Sequence, residues 1–88
     1  MTYDERRRAV TKALSAGTVP RDNPAKMWAG NGTNTPCAIC GVTMRAADIE
    51  YEIEFASGLS LMLDRECHAL WDEYRNGPRA RSLRRSRS

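Results

Sequence analysis

The residues best suited to specific chemistry in this 88-residue chain are its three cysteines and its single histidine. Cys37 and Cys40 are separated by two residues, and the third cysteine is followed directly by the histidine in Cys67-His68. A Cys-x-x-Cys pair in a tight turn places two sulfurs on the same side, and thiolates are preferred ligands of zinc. An odd number of cysteines argues against a disulfide framework and favours a reduced compartment, so we expect a cytoplasmic protein. The pattern predicts one structural zinc ion bound by the three thiolates.

The 26 residues between the second and third cysteines have the pattern of a β-hairpin followed by a helix. Residues 49–55 alternate between apolar and acidic side chains, which predicts a half-buried strand whose glutamates face solvent. Residues 56–63 combine a turn signal with alternating leucines and predict the returning strand. Apolar side chains at helical spacing then predict a helix over residues 64–76, with Asp64 at its N-cap and Cys67 in its electropositive first turn.

A Cys-x-x-Cys turn, a hairpin and a cysteine in the first turn of a helix resemble, in this order, the treble-clef zinc finger over residues 37–75. In treble clefs the last two ligands lie three residues apart on the first helical turn, which implies Asp64 as the fourth ligand. An aspartate oxygen is a known zinc ligand, although Asp64 could instead serve only as the helix cap. His68 is the alternative fourth ligand, but it neighbours Cys67, and adjacent helical side chains diverge by about 100°. A site that is open, completed by water or empty is the third alternative.

Residues 17–71 are also similar to a family of small uncharacterised bacterial proteins. The shared motifs are Gly17-Thr18-Val19-Pro20, Trp28-Ala29-Gly30-Asn31-Gly32, Cys37 with Cys40, Glu50-Tyr51-Glu52, and Cys67 with Trp71. The family pattern has a histidine three residues before the last cysteine, where this chain has Asp64. The resemblance implies a zinc site and no particular activity.

The first 17 residues are predicted to form an N-terminal helix. Thr2 is a candidate cap for a helix over residues 3–16, and Gly17 is a candidate stop. The apolar stripe of this helix is narrow and includes Tyr3. Three consecutive arginines at 6–8 fan around the helix, and we expect them to belong to its solvated surface.

The segment that follows has the composition of a connection. Prolines and glycines predict an irregular segment over residues 18–36, anchored to the body by Trp28. A zinc-finger-like core is predicted over residues 37–76 and a disordered basic tail over residues 77–88. The fold class is therefore predicted to be small α+β, a treble-clef-like zinc finger with an added N-terminal helix.

The net charge of +3 is distributed unevenly. The last ten residues contain five arginines and no acidic residue, whereas the first 75 residues carry nine basic and eleven acidic side chains. The arginines of the tail are Arg79, Arg81, Arg84, Arg85 and Arg87. Such a tail can bind phosphates by counterion release, so these residues are the candidate nucleic-acid contacts. The alternative is a tail that only solubilises the chain.

No apolar run approaches the length of about 18 residues that a membrane helix requires, so no membrane partner is expected.

Enzymatic function is not supported by the residues. A zinc deaminase would need a His-x-Glu motif upstream of the cysteine pair, and the only histidine lies downstream. One histidine provides little for general acid–base catalysis. We therefore expect a non-enzymatic zinc-binding adaptor that contacts an unknown macromolecule, with nucleic acid or a nucleic-acid complex favoured. A protein-interaction or regulatory module without a nucleic-acid role is the alternative, and no small-molecule substrate is expected.

Overall fold

The computed structural model describes residues 1–75. It is a small α+β structure in which two helices and five strands follow one another along the chain. The elements are α1 (Tyr3–Ala16), β1 (Lys26–Asn31), β2 (Thr35–Pro36), β3 (Thr43–Met44), β4 (Ile49–Glu54), β5 (Ser60–Asp64) and α2 (Arg65–Arg75). All strand pairs are antiparallel.

The strands form two sheets. In the larger sheet β4 lies between β1 and β5, and β4 and β5 form the predicted hairpin. In the smaller sheet the short strands β2 and β3 pair with each other, and the turn between them carries the Cys-x-x-Cys motif. The amide of Ala38 donates to the carbonyl of Met62 over 2.8 Å, which joins this turn to β5.

The starts of both helices and the end of α1 are set by local signals that are visible in the sequence. Thr2 and Glu5 form a reciprocal capping box at the start of α1, and Gly17 ends the helix with φ at 76°, a conformation that favours glycine. At the start of α2, the carboxylate of Asp64 accepts the backbone N–H of Cys67 over 2.7 Å, so the predicted cap is confirmed. The helix begins at Arg65, one residue after this cap.

The core lies where α2 packs against β4 and β5 and where α1 packs against α2. Trp71 is its largest fully buried side chain; its indole N–H donates to the carbonyl of Pro20, and its ring meets Phe55 edge-on. The buried apolar side chains are Val10, Ala13, Leu14, Val19, Cys37, Met44, Ile53, Phe55, Leu63, Cys67, Leu70 and Trp71. Because this core is small, a cross-link between its segments would add much to stability.

The prediction of an irregular segment over residues 18–36 is wrong for its second half. Lys26–Asn31 pair with β4 along their whole length, and Thr35–Pro36 pair with β3. The prediction that Trp28 anchors this segment in the core is also wrong, because 48% of its surface is exposed. Trp28 lies opposite Glu52, so it occupies the face of the sheet opposite to the buried Ile53.

Burial differs from the sequence-based expectation at two further positions. Glu50 was expected on the solvent face of its strand, but it is only 8% exposed. Its carboxylate accepts the backbone N–H and the hydroxyl of Thr33, because the chain between β1 and β2 folds over it. Tyr3 was expected in the apolar stripe of α1, but it lies at the first position of the helix and is 63% exposed.

Neither helix of residues 1–75 has the length and apolar character needed to cross a membrane. The predicted end of α2 near residue 76 and the basic tail over residues 77–88 lie outside the described residues. The candidate phosphate contacts of the tail therefore remain sequence-based predictions. They are Arg79, Arg81, Arg84, Arg85 and Arg87.

Candidate metal centre

The first two cysteines are held by the tight turn between β2 and β3. The backbone N–H of Cys37 donates to the carbonyl of Val42, and the carbonyl of Cys37 accepts the N–H of Gly41, both over 2.9 Å. Gly41 has φ at 79°, which allows the chain to reverse directly after Cys40. This turn brings Cys37 and Cys40 to the same side, as the Cys-x-x-Cys spacing predicts.

The other two members of the group come from the junction of β5 and α2. Asp64 is the last residue of β5, and Cys67 lies in the first turn of α2. The hydrogen bond between the Asp64 carboxylate and the Cys67 backbone fixes both residues relative to the helix axis. The three-residue spacing of the treble-clef resemblance thus corresponds to two side chains that lie next to each other.

Four candidate ligands from these two distant segments meet at one point. One ligand atom from each of Cys37, Cys40, Asp64 and Cys67 lies within 4.8 Å of all the others. In a tetrahedral zinc site with Zn–S bonds of about 2.3 Å, two sulfurs are about 3.8 Å apart, so a small inward movement would complete the geometry. Cys37 and Cys67 are buried, Asp64 is 8% exposed and Cys40 is half-buried. The four residues lie close enough to hold a metal ion.

The three thiols have different proton affinities because their burial and their hydrogen-bond partners differ. A hydrogen bond from the Cys67 thiol lowers the pKa of Cys37 to about 6, although burial opposes this shift. The same hydrogen bond, together with burial, raises the pKa of Cys67. Burial and the neighbouring Asp64 carboxylate raise the pKa of Cys40 to about 11. The group therefore favours ionisation of Cys37 over ionisation of Cys40 or Cys67.

The carboxylate of Asp64 is kept ionised inside this group. Its burial alone would raise its pKa, but hydrogen bonds from the Cys67 amide and the Cys40 thiol and the charge of Arg6 outweigh burial and lower it. The Cys40 Sγ lies 3.1 Å from Asp64 Oδ2, and the Arg6 Nη2 lies 3.3 Å from the same oxygen. An ionised carboxylate is the form that coordinates a metal.

Arg6 is the residue at this site that sequence reasoning missed. It was expected on the solvated surface of α1 with its two neighbouring arginines, but only 11% of its side chain is exposed. It bridges Asp64 and Glu66, and each N···O distance is 3.3 Å. The sequence carried no local signal for this contact, because 58 residues separate Arg6 from Asp64.

His68, the alternative fourth ligand, is engaged elsewhere. Its ring stacks on the ring of Tyr51 with centroids 4.1 Å apart and planes within 5° of parallel. Its Nε2 lies 3.1 Å from the sulfur of Met27, and burial lowers its pKa. The group of four potential ligands includes Asp64 and does not include His68. The divergence of adjacent helical side chains explains this difference.

Comparison with known proteins identified no relative of this chain. No protein-family model, no curated protein and no solved structure matches the chain. The class that the fold and site define is thus a small α+β protein with a potential metal site of three cysteines and one aspartate.

Proposed function

We propose that the protein is a non-enzymatic zinc-binding adaptor with a treble-clef-like core, stabilised by one structural zinc ion. The observation that carries the proposal is the meeting of three cysteines and Asp64 from two distant segments. Soft thiolates select zinc over magnesium or calcium, and four protein ligands correspond to a closed structural site rather than an open catalytic one.

The zinc ion would act as a cross-link in a domain with a small core. It would join the turn between β2 and β3 to the start of α2, two segments that are far apart in the sequence. Binding of zinc to small domains of this kind contributes on the order of 10 kcal/mol to folding. We therefore expect removal of the metal to unfold much of residues 37–75.

Native mass spectrometry of the full chain, with and without a chelator, tests this proposal. We expect one zinc ion per chain, and its loss together with folded structure in Cys37→Ser or Cys67→Ser. His68→Ala is the matched control, because it changes a neighbouring polar residue outside the ligand group and should retain the metal. A wild-type chain that binds no zinc, or whose amide spectrum is unchanged in excess chelator, would contradict the proposal.

We further propose that the adaptor contacts nucleic acid or a nucleic-acid complex through its basic tail. The support is the separation of charge: five arginines in the last ten residues, against a body with two more acidic than basic side chains. On duplex DNA each neutralised phosphate contributes a slope of about −0.9 in log K against log salt, so five arginines allow a slope of about −4.5. The tail has no aromatic residue for stacking on bases, so binding should be independent of sequence.

A full-length variant with all five tail arginines replaced by glutamine tests this contact. We expect the variant to lose binding to mixed-sequence duplex DNA at low salt and the wild type to show the steep salt dependence. The matched control is Arg7→Gln, Arg8→Gln and Lys12→Gln, a triple variant on the exposed side of α1. Equal binding by the wild type and the tail variant would overturn the assignment to the tail.

The exposed surface around Trp28 favours a second candidate, a protein-interaction module for a cationic segment. Trp28 is 48% exposed and lies opposite Glu52, with Glu54 on the same face. An indole ring beside carboxylates suits arginine or lysine side chains, which stack on aromatic rings and pair with acids. Titration with an arginine-rich peptide, followed by tryptophan fluorescence, should report binding that Glu52→Gln with Glu54→Gln weakens. Absence of any fluorescence change would exclude this candidate.

A further inference from the structure

Arg6 reaches the candidate metal centre from the other end of the chain. Its guanidinium contacts Asp64 through Nη2 and Glu66 through Nη1. The remaining guanidinium nitrogen, Nε, is buried and has no hydrogen-bond partner within residues 1–75. A buried arginine keeps its charge, so it requires partners that compensate for the loss of water. Asp64 is therefore the principal charged partner of Arg6, which also interacts with the Cys67 thiol.

The two oxygens of Asp64 have different neighbours. Oδ1 accepts the Cys67 backbone N–H over 2.7 Å and serves as the helix cap. Oδ2 lies 3.1 Å from the Cys40 Sγ and 3.3 Å from the Arg6 Nη2. Oδ2 is therefore the oxygen available to a metal, and Arg6 is the group that fixes its direction. Glu66, whose side chain is 67% exposed, is a weaker partner of Arg6 because water screens it.

Arg6 would also offset part of the negative charge of the four candidate ligands. Three thiolates and a carboxylate carry four negative charges, of which a divalent ion neutralises two. A set with histidine in place of the aspartate would carry one negative charge fewer. One buried guanidinium restores this difference, and it does so at the oxygen that brings the additional charge. Residues around a metal site that orient its ligands typically change affinity about 10- to 100-fold when they are mutated.

We propose that Arg6 is a positioning residue of the metal centre, which directs Asp64 Oδ2 to the ion and offsets the charge of the carboxylate. The inference rests on the proposed function, since it concerns how the same site binds zinc. It also makes α1, which contributes no ligand, a part of the metal centre. Arg6 also interacts with the Cys67 thiol, but its ion pair is with Asp64, so most of its effect should depend on the carboxylate at position 64.

Competition with a chromophoric chelator measures the zinc affinity of full-length variants and so tests the proposed role of Arg6. We expect Arg6→Gln to weaken zinc binding about 10- to 100-fold and Arg6→Lys to restore part of the loss, because lysine keeps the charge without the planar fork. Arg7→Gln is the matched control. Arg7 also joins α1 to α2, through a 3.0 Å hydrogen bond to the Tyr74 hydroxyl, but it contacts none of the four ligands. We expect its zinc affinity to match the wild type.

A double-mutant cycle with Asp64→Asn separates positioning from general stability. Asparagine retains the cap and removes the charge, so Arg6→Gln should have little further effect on zinc affinity in that background. Cobalt substitution provides a spectroscopic readout: Arg6→Gln should alter the d–d bands and leave the thiolate charge-transfer intensity of three sulfurs. An equal loss from Arg6→Gln in both backgrounds, or unchanged affinity and d–d bands in Arg6→Gln, would overturn the role of Arg6 alone. A wild-type chain that binds neither zinc nor cobalt would overturn the proposed function as well.

Discussion

Asp64 connects the fold and the candidate metal centre through a single carboxylate. One oxygen caps α2, and the other points to the sulfur of Cys40 and to Arg6. Substitutions can separate these tasks, because asparagine is as good a helix cap as aspartate, whereas alanine is a poor one. The side chain at position 64 is thus the most informative single site for mutation.

We predict that Asp64→Asn weakens zinc binding about tenfold or more while the start of α2 is retained, because an amide oxygen is a poorer ligand than a carboxylate. Asp64→Ala should add a loss of about 1 kcal/mol in folding stability, since the cap is removed as well. Competitive zinc titration and urea unfolding of the two variants measure these effects. The assignment of the fourth ligand would be wrong if His68→Ala released zinc and both Asp64 variants retained it.

The unequal proton affinities of the thiols predict how zinc binding depends on pH. At about pH 7.5 Cys37 (pKa about 6) is ionised, whereas Cys40 (pKa about 11) and Cys67, whose pKa is also raised, keep their protons. Asp64 contributes no proton because its pKa is lowered. Zinc should therefore displace about two protons, and its apparent affinity should rise about 100-fold per unit between about pH 7 and 8. Calorimetry in buffers of different ionisation enthalpy counts these protons, and release of three would contradict the lowered pKa of Cys37.

Three of the four candidate ligands could be predicted from sequence because the chain has only three cysteines, two of them in a Cys-x-x-Cys motif and the third at the start of a predicted helix. The preference for Asp64 over His68 also has a local basis, since Asp64 lies at the N-cap of α2, where its carboxylate meets Cys67, and His68 diverges from the adjacent Cys67 by about 100°. The contact of Arg6 could not be predicted, because it depends on how α1 packs against α2. Pairwise contacts between distant segments leave no periodic pattern in either segment.

Among the elements, α1, the hairpin and α2 were predictable because each carries its own signal: a capping box, strict alternation, or a cap followed by helical periodicity. Strand β1 carries no such signal in its sequence, because all six of its residues are exposed and two of them are glycine and alanine. Its strand conformation comes from pairing with β4, which is a tertiary contact. The same explanation holds for Glu50, whose burial depends on the chain that follows β1.

The buried Glu50 connects two elements and should be sensitive to mutation. Its carboxylate accepts hydrogen bonds from Thr33, four residues before Cys37, and thereby fixes the chain that leads into the Cys-x-x-Cys turn. We predict that Glu50→Ala destabilises the zinc-loaded protein by about 1 to 3 kcal/mol, the range for hydrogen bonds to charged groups. Glu52→Ala, on the same strand and face, is the control and should cost less. Urea unfolding in the presence of zinc measures both, and equal effects would contradict the role of Glu50.

At the scale of the whole molecule, we expect the small core to make α1 depend on the proposed zinc ion although it contributes no candidate ligand. Its buried residues Val10, Ala13 and Leu14 need the surface of α2, and an isolated helix of 14 residues is marginal in water. We predict that chelation of zinc accelerates amide hydrogen exchange in α1 together with residues 37–75. Exchange measured by mass spectrometry with zinc present is the reference. Continued protection of α1 in the chelated protein would show that the helix is held by packing alone.

The outer edge of β1 has a consequence for the behaviour of concentrated solutions. The backbone N–H of Gly32 donates to the carbonyl of Asp48, in the chain that enters β4. Because backbone N–H and C=O groups along a strand point alternately to its two sides, those of Met27, Ala29 and Asn31 point away from β4. No other strand of residues 1–75 pairs with this edge. Natural proteins protect such edges with lysine or proline, and β1 has a single lysine, at its first position. Slow edge-to-edge aggregation should therefore set the practical concentration limit of the protein. Light scattering should show that Ala29→Lys raises this limit without a change in zinc content.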